Sequence, residues 1–315
     1  NLYFNLPIFY SNRKLCINYD LLINKYLDKT ISFSLIDNEG NIVSEYNSKI
    51  ARIPASNQKL LSTGYVISKY NDFYSLKTKL YKDNKNNYII EGSGDPDLSL
   101  SDIQTLLNNI KFNNVINITL LEVKRDIYWP EGWTLQDKSY KYGSPITKLA
   151  INSNASRYMN IEGLKNYIYD YLLAKFPNSE INIFINDFSN DLKKKTNLID
   201  SIISNPILSL VTLANAESHN FTSESLFKNA SDTWNNNSYK KLYVWLKNRG
   251  LPIKNLYIAD ASGLSRNNKV TTNLIASFLH KMKFNNNYEI YASTLSIMGI
   301  RGTLANSLLN SKLNG

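Results

Sequence analysis

The sequence predicts an α/β protein in which helices flank a sheet and a smaller α/β domain is inserted into the larger one. Strand-like segments alternate with amphipathic helical segments along the 315 residues, and 43% hydrophobic with 20% charged residues is typical of a globular chain. A block of mixed strand and helix character follows residue 95, and helix-rich sequence returns near residue 205. We therefore predict a main domain from residues 1–95 and 205–315 and an inserted domain from residues 96–204.

The first 95 residues predict a hairpin, a helix and two further strands. Apolar and polar residues alternate on both sides of a polar turn in residues 31–48, which indicates a β-hairpin. A helix is predicted to begin near Pro54, because proline suits a first helical turn and an apolar stripe follows it. Strands are predicted at residues 76–81 and 88–91, on either side of a polar segment.

The predicted insert begins with a helix in which Ser101 and Gln104 have the spacing of a capping box. Alternation over residues 115–123 predicts a strand, and residues 163–176 predict a long amphipathic helix. A second strand is predicted at residues 181–187. Together these elements predict a small α/β unit between the two parts of the main domain.

The last third of the chain is mostly helical in its pattern, with apolar residues recurring every three to four positions. We predict three helices, a buried strand and a final amphipathic helix, at residues 207–218, 223–230, 239–250, 256–260 and 272–283. The sequence pattern of this stretch resembles that of the first 95 residues, and both stretches are therefore assigned to the main domain.

The composition excludes several kinds of site. The single cysteine, Cys16, excludes an internal disulfide and a cysteine-based metal cluster. Only two histidines are present and the chain lacks a G-x-S-x-G elbow, so a serine hydrolase would need another base. The net charge of +10 favours acidic partners, such as anionic lipids or an acidic wall polymer, and no nucleic-acid motif is present.

Lys59 can be such a base for Ser56, because residues three apart lie on one face of a helix within hydrogen-bond reach. A serine in the first helical turn also lies where the helix dipole and unpaired N–H groups favour a developing negative charge. Lys59 must be neutral to take the proton of Ser56. Burial and a neighbouring cation both lower a lysine pKa, so the pair predicts acyl transfer from a partly enclosed cleft.

Four segments then follow in a recognisable order: PASNQKLLS, GSGDPDLS, SHN and DASGLSR. From about Ile31 to its end, the chain resembles the class C low-molecular-mass penicillin-binding proteins, the D-alanyl-D-alanine carboxypeptidase and endopeptidase family. The stretch from Trp129 to Trp133 resembles a tryptophan-containing part of that family's insert, whereas Ala261 departs from its usual glycine. The resemblance implies a penicillin-binding transpeptidase or β-lactamase-like domain that carries an inserted α/β domain.

The resemblance also implies a role for five residues. Ser56 would be the acylated nucleophile and Lys59 the general base. Ser218 would relay a proton to the leaving group, Asn220 would hold substrate, and Arg266 would bind a carboxylate through its planar guanidinium. The implied substrates are the D-Ala-D-Ala ends or D-Ala cross-links of peptidoglycan stem peptides, with β-lactams as inhibitors. No metal or organic cofactor is implied.

The family's third motif, K-T-G, supplies a cation and one N–H of the oxyanion hole, and we expect it to follow Gly315. Three alternatives stay open: a catalytically inactive peptidoglycan-binding module, a β-lactamase or esterase on the same scaffold, and a nucleic-acid binder, which only the positive charge favours. We expect an exported protein of the bacterial periplasm or cell envelope, whose export signal does not appear in this sequence. The positive charge also predicts peripheral association with membrane or wall polymers.

Overall fold

The structure is a computed structural model, and it describes residues 8–11, 14–17, 31–71, 73–156, 158–187 and 196–306. In these ranges the chain forms nine strands: β1 (Ile8–Ser11), β2 (Lys14–Ile17), β3 (Phe33–Ile36), β4 (Ile42–Tyr46), β5 (Ser75–Asp83), β6 (Tyr88–Glu91), β7 (Val115–Glu122), β8 (Glu180–Asp187) and β9 (Thr196–Pro206). The nine α-helices of the same ranges are α1 (Gln58–Ile67), α2 (Leu100–Leu107), α3 (Leu135–Lys138), α4 (Ile161–Lys175), α5 (Ile207–Ala216), α6 (Asn220–Ala230), α7 (Ser238–Asn248), α8 (Thr272–Lys283) and α9 (Tyr288–Ser293). None of the helices described is both long and apolar enough to span a bilayer.

Most of the predicted elements are confirmed, because their periodic apolar residues meet a core. The predicted hairpin is the antiparallel pair β3 and β4, in which Phe33 lies opposite Tyr46. The strands predicted at residues 76–81, 88–91, 115–123 and 181–187 are β5, β6, β7 and β8. The long amphipathic helix of the predicted insert is α4, and the final one is α8.

Two local predictions are wrong. Helix α2 is capped by Ser99 and Asp102 in a reciprocal capping box, not by the pair two residues later, because Ser99 is the residue with extended backbone angles. The buried strand predicted at residues 256–260 forms one isolated β-bridge, between Tyr257 and Lys269. The amides of Ala259 and Asp260 donate instead to a side chain, Oδ1 of Asn268, and therefore have no strand partner.

The largest sheet has five strands in the order β8-β7-β6-β5-β9. Strands β6, β7 and β8 are parallel, whereas β5 is antiparallel to both β6 and β9. Strand β9 was not predicted, because residues 196–206 have several polar and exposed positions that hide the alternation typical of a strand. The mixed sheet and its flanking helices confirm the predicted fold class.

The described ranges contain three hydrophobic clusters, of which the smallest joins Trp133, Ile146, Ala150 and Phe221 and the other two are larger. One joins side chains of α1 with those of the helices after residue 206, including Leu61, Val66, Phe227, Trp245 and Phe278. The other packs β5 to β8 against α2 and α4, including Leu80, Ile90, Ile118, Leu164 and Ile168. The division at residues 95 and 204 stays a prediction, and both the five-stranded sheet and the second cluster extend across residue 95.

Candidate active site

Ser56 is exposed in a single turn of 3-10 helix, Ala55–Asn57, that leads directly into α1. Ala55 has a φ of 48°, a left-handed conformation that costs an alanine about 1 to 2 kcal/mol. Gly263, with a φ of +83°, packs against this turn so closely that a Cβ there would lie 1.8 Å from the Ala55 carbonyl oxygen. The close approach of the two backbones holds the turn that presents Ser56, and only glycine leaves room for it.

The Lys59 amine lies below Ser56 and is buried, with 2% of the residue exposed. It donates to Oδ1 of Asn220 at 2.7 Å and to the carbonyl oxygen of Ser262 at 2.7 Å. Its third contact is Oγ of Ser56, at 3.3 Å. These three acceptors use the three donors that a lysine ammonium carries.

Burial lowers the pKa of Lys59 from 10.5 to about 8, because desolvation disfavours the charged amine. The carboxylates of Asp260 and Glu224 act in the opposite direction and raise this pKa. The sequence predicted a lowered pKa assisted by a neighbouring cation, whereas the structure attributes the lowering to desolvation. At pH 7 about a tenth of Lys59 side chains are therefore neutral and able to accept a proton.

The SHN segment meets this pair from the start of α6. Ser218, with a φ of 56°, places its Oγ 2.7 Å from Oγ of Ser56. Asn220 begins α6, and its Nδ2 donates to the carbonyl oxygen of Tyr142 at 3.1 Å while its Oδ1 accepts from Lys59. The structure thus brings four of the five predicted site residues into one hydrogen-bonded group.

His219, between them, does not join this group through its ring. Its Nδ1 lies 2.7 Å from Oγ1 of Thr222, one turn along the same helix. Burial lowers the His219 pKa, and the positive charge of Lys59 lowers it further. In this contact the His219 ring binds a side chain of α6.

The DASGLSR segment supplies the carbonyl of Ser262 from a tightly bonded loop. The Asp260 carboxylate is fully buried and accepts hydrogen bonds from the amides of Gly263 at 2.7 Å and Ser265 at 2.6 Å. It also accepts from the indole N–H of Trp133 at 2.9 Å, which ties the tryptophan-containing stretch to this loop. A buried carboxylate with several donors holds a loop rigidly, and this one fixes the direction of the Ser262 carbonyl.

Sequence reasoning missed Glu224, which lies four residues after Asn220 on α6 and is fully buried. One of its oxygens accepts from the amides of Ala261 at 2.9 Å and Ser262 at 2.8 Å, and the other accepts from the Tyr239 hydroxyl at 2.9 Å. Burial raises the pKa of Glu224 to about 7. The available signal was a glutamate at helical spacing from Asn220, in the helix predicted at residues 223–230.

Arg266 stands apart from the other four predicted residues. It is exposed, and among the residues described it makes no hydrogen bond or ion pair. Desolvation and the nearby charge of Asp137 raise the pKa of Tyr142, and the charge of Arg266 acts in the opposite direction.

The described ranges contain no group of three or more His, Cys, Asp or Glu side chains placed to hold a metal ion. The site itself offers three groups for chemistry: an exposed hydroxyl, a buried amine of lowered pKa and a second hydroxyl in contact with the first. Such a group can move a proton from one hydroxyl oxygen to an amine, which is the requirement for serine acyl transfer.

Residues 36–163 and 165–315 match the D-Ala-D-Ala carboxypeptidase 3 (S13) family. The chain belongs to this family. Membership confirms the predicted class C penicillin-binding family and the prediction that the chain is a serine hydrolase of the D-Ala-D-Ala carboxypeptidase type. No curated protein matches the chain by sequence.

Solved structures share the fold of this S13 family member. Penicillin binding protein 4 from Haemophilus influenzae matches with a TM-score of 0.75 and 20% identity, over 95% of this chain and 86% of that one. The same protein complexed with a β-lactam matches with a TM-score of 0.70 and 19% identity, over 95% and 85%. A predatory endopeptidase from Bdellovibrio bacteriovorus, in complex with an immunity protein, matches with a TM-score of 0.53 and 18% identity, over 85% and 73%.

Proposed function

We propose that this chain cleaves the D-Ala-D-Ala ends or D-Ala cross-links of peptidoglycan stem peptides through an acyl-enzyme on Ser56. The observation that carries the proposal is the position of the Lys59 amine, 3.3 Å from Oγ of Ser56 and 2.7 Å from each of two other acceptors. Membership of the S13 family supports the reaction class. The assignment of each residue rests on the geometry.

Lys59 acts as the general base in its neutral form. A neutral amine has two N–H donors and one lone pair, and the short contacts to Asn220 and Ser262 engage both donors. The lone pair is then left for the Ser56 hydroxyl. Oγ of Ser56 gives its proton to Lys59 and bonds to the carbonyl carbon of the penultimate D-alanine, in line with nucleophilic catalysis by an activated serine.

Ser218 completes the proton path to the leaving group. As the bond to the terminal D-alanine nitrogen breaks, that nitrogen takes a proton from the Ser218 hydroxyl, and the Ser218 oxygen recovers one from the protonated Lys59, which returns that amine to its neutral form. The 2.7 Å contact between the two serine oxygens supports this relay. Water then attacks the acyl-enzyme, releases the shortened peptide and restores the Ser56 hydroxyl.

Asn220 and Arg266 orient the reactants. Both ends of the Asn220 amide are bonded to protein groups, which supports a role in holding Lys59 in addition to the substrate contact that the family resemblance implies. Arg266 is exposed, and its guanidinium is suited to bind a substrate carboxylate with two parallel hydrogen bonds. We assign it the carboxylate of the peptide stem.

The proposed partners and location follow from the same reaction. A β-lactam carries a strained amide that can acylate Ser56, and the similar protein from Haemophilus influenzae has been seen with a bound β-lactam. Stem peptides lie in the bacterial periplasm or envelope, where we place this chain. Its net charge of +10 supports peripheral association with anionic membrane lipids or wall polymers.

The test is intact-mass spectrometry of the full natural chain after incubation with a penicillin. We expect one covalent adduct on the wild type and none on Ser56→Ala. Ser68→Ala, at the end of the same helix and bonded to the Tyr65 carbonyl, is the matched control and should form the adduct normally. An adduct of equal yield on Ser56→Ala would overturn the assignment.

A parallel assay separates the alternatives. Release of D-alanine from a stem peptide supports the peptidase. Sedimentation with peptidoglycan but no release, together with no penicillin adduct, would favour an inactive wall-binding module. Rapid turnover of penicillin without a lasting adduct would favour a β-lactamase.

A further inference from the structure

Helix α6 carries two side chains that reach the environment of the Lys59 amine. Asn220 and Glu224 are four residues apart and therefore lie on one face of the helix. Asn220 contacts the amine directly, at 2.7 Å. Glu224 bonds to the backbone of Ser262, whose carbonyl oxygen is the other short acceptor of Lys59.

The backbone around Ala261 is held on both of its edges. On one edge, a single Glu224 oxygen accepts from the amides of Ala261 and Ser262. On the other, the Ala261 carbonyl accepts from the hydroxyls of Ser62 at 2.6 Å and Ser223 at 2.9 Å. All of these groups are buried, so an unmade hydrogen bond there would leave a polar atom with neither a protein partner nor water, and the segment has one favoured position.

We propose that Glu224 is a positioning residue for acylation: its carboxylate clamps the Ala261 and Ser262 amides and thereby aims the Ser262 carbonyl at the Lys59 amine. The inference rests on the proposed function, since it gives Lys59 the role of base. One face of one helix then acts on both short acceptors of that amine, directly through Asn220 and through the backbone before the Ser262 carbonyl for Glu224. Asp260 holds the peptide group of the Ser262 carbonyl through the Gly263 amide, and Glu224 holds the segment before it. Without the clamp that segment shifts, and the carbonyl moves away from its position against the Lys59 amine.

The charge of Glu224 provides a second readout. The charged or titratable groups that face it are Lys59, Asp260, Lys228 and Tyr239. With a pKa of about 7, Glu224 is mostly ionised at the pH where Lys59 loses its proton, and its negative charge raises the pKa of Lys59. Replacing Glu224 with glutamine removes that charge. The pKa of Lys59 should fall, so the rise of the acylation rate with pH should begin at lower pH.

The experiment measures the second-order rate of acylation by a fluorescent penicillin against pH, per folded protein, for the wild type, Glu224→Ala and Glu224→Gln. Glu122→Ala and Glu122→Gln are the matched controls. Glu122 is also a buried carboxylate, 1% exposed, and it accepts from the amides of Val123, Lys148 and Leu149 at 2.7 to 2.8 Å, but it makes no contact with Lys59. Thermal unfolding of each variant reports the folded fraction.

We expect Glu224→Ala to lower the high-pH plateau about 10-fold to 100-fold, as misplacement of a catalytic group does. Glu224→Gln keeps one oxygen for the clamp, so its plateau should stay within about 3-fold of the wild type while its midpoint moves to lower pH. Both Glu122 variants should keep the wild-type plateau and midpoint.

A folded Glu224→Ala with a wild-type plateau would overturn the inference, as would equal losses in Glu122→Ala. If Glu224→Ala does not fold, an unchanged midpoint in Glu224→Gln overturns it. Absence of any wild-type adduct defeats the proposed function instead, which keeps the two failures distinguishable.

Discussion

Oγ of Ser56 and Oγ of Ser218 lie 2.7 Å apart although 162 residues separate them in the chain. The contact joins the turn before α1 to the turn before α6. In the first turn Ala55, next to Ser56, has a positive φ, and in the second Ser218 itself does. Lys59 adds an amine beneath the pair. The buried amine and the second hydroxyl therefore both lie next to the oxygen that attacks the substrate.

The rate of acylation should follow the protonation state of Lys59. Only the neutral amine accepts the proton of Ser56, and burial places the Lys59 pKa at about 8. The rate should rise about tenfold per pH unit below that value and become level above it. The measurement is the rate of labelling by a fluorescent penicillin across the pH range. A flat profile would contradict the assignment of the base.

Lys59→Met provides the control for that profile, since it should remove the pH-dependent limb and lower the rate about 100-fold to 10,000-fold. Lys148→Met replaces another buried lysine, 5% exposed, whose amine lies over the Trp234 ring. It should keep both the limb and the rate.

Ser218→Ala should slow release of D-alanine from a stem peptide about 100-fold, because the leaving nitrogen loses its proton donor. Ser225→Ala is the matched control, since Ser225 lies in the helix that follows and its hydroxyl contacts only the Thr222 carbonyl among the described residues. Release of free D-alanine, followed by a coupled assay, measures both. Equal rates in the two variants would exclude Ser218 from the proton path.

Gly263→Ala should destabilise the protein and also impair acylation of Ser56. A methyl group there meets the Ala55 carbonyl oxygen at 1.8 Å, so the turn that holds Ser56 has to move. Gly250→Ala is the control for backbone strain alone: its φ is +63°, but the nearest atom to an added Cβ is Nζ of Lys281 at 3.6 Å.

We expect Gly250→Ala to cost about 1 to 2 kcal/mol of unfolding free energy and to leave acylation unchanged. Gly263→Ala should cost more and lower the acylation rate. Denaturant unfolding and penicillin labelling check the two effects, and similar results for both glycines would show that the close approach to Ala55 is unimportant.

Arg266→Ala should weaken binding of stem peptides without changing stability, because the side chain is exposed and bonded to no other described residue. Loss of a charge-assisted hydrogen bond to a carboxylate should raise KM about 10-fold to 100-fold. Arg266→Lys keeps the charge but not the planar guanidinium, so its KM should lie between those of the wild type and Arg266→Ala. Steady-state kinetics on peptides with and without the carboxylate test this. An unchanged KM in Arg266→Ala would assign the carboxylate to another group.

Local sequence spacing was enough to predict many of the helices and strands and the Ser56–Lys59 pair of the site. The alternation in residues 31–48 and the apolar stripe of α8 depend on periods of two and 3.6 residues, which the chain shows directly. Strand β9 was missed because its polar positions obscure the alternation of a strand. The capping pair of α2 was misplaced because Ser99 and Ser101 are both suitable capping residues. The strand predicted at residues 256–260 does not form because the Asn268 side chain takes the Ala259 amide. A contact of this kind leaves no periodic pattern in the sequence.

The sequence by itself determined that Ser56 and Lys59 lie on one helical face, because helix geometry fixes the distance between residues three apart. Only the tertiary structure decided which acceptors hold the amine, how deeply it is buried and which carboxylates face it. The reason is physical: a lysine pKa depends on solvent exclusion and on charges brought close by folding, and Asn220, Glu224 and Ser262 reach Lys59 from more than 160 residues away.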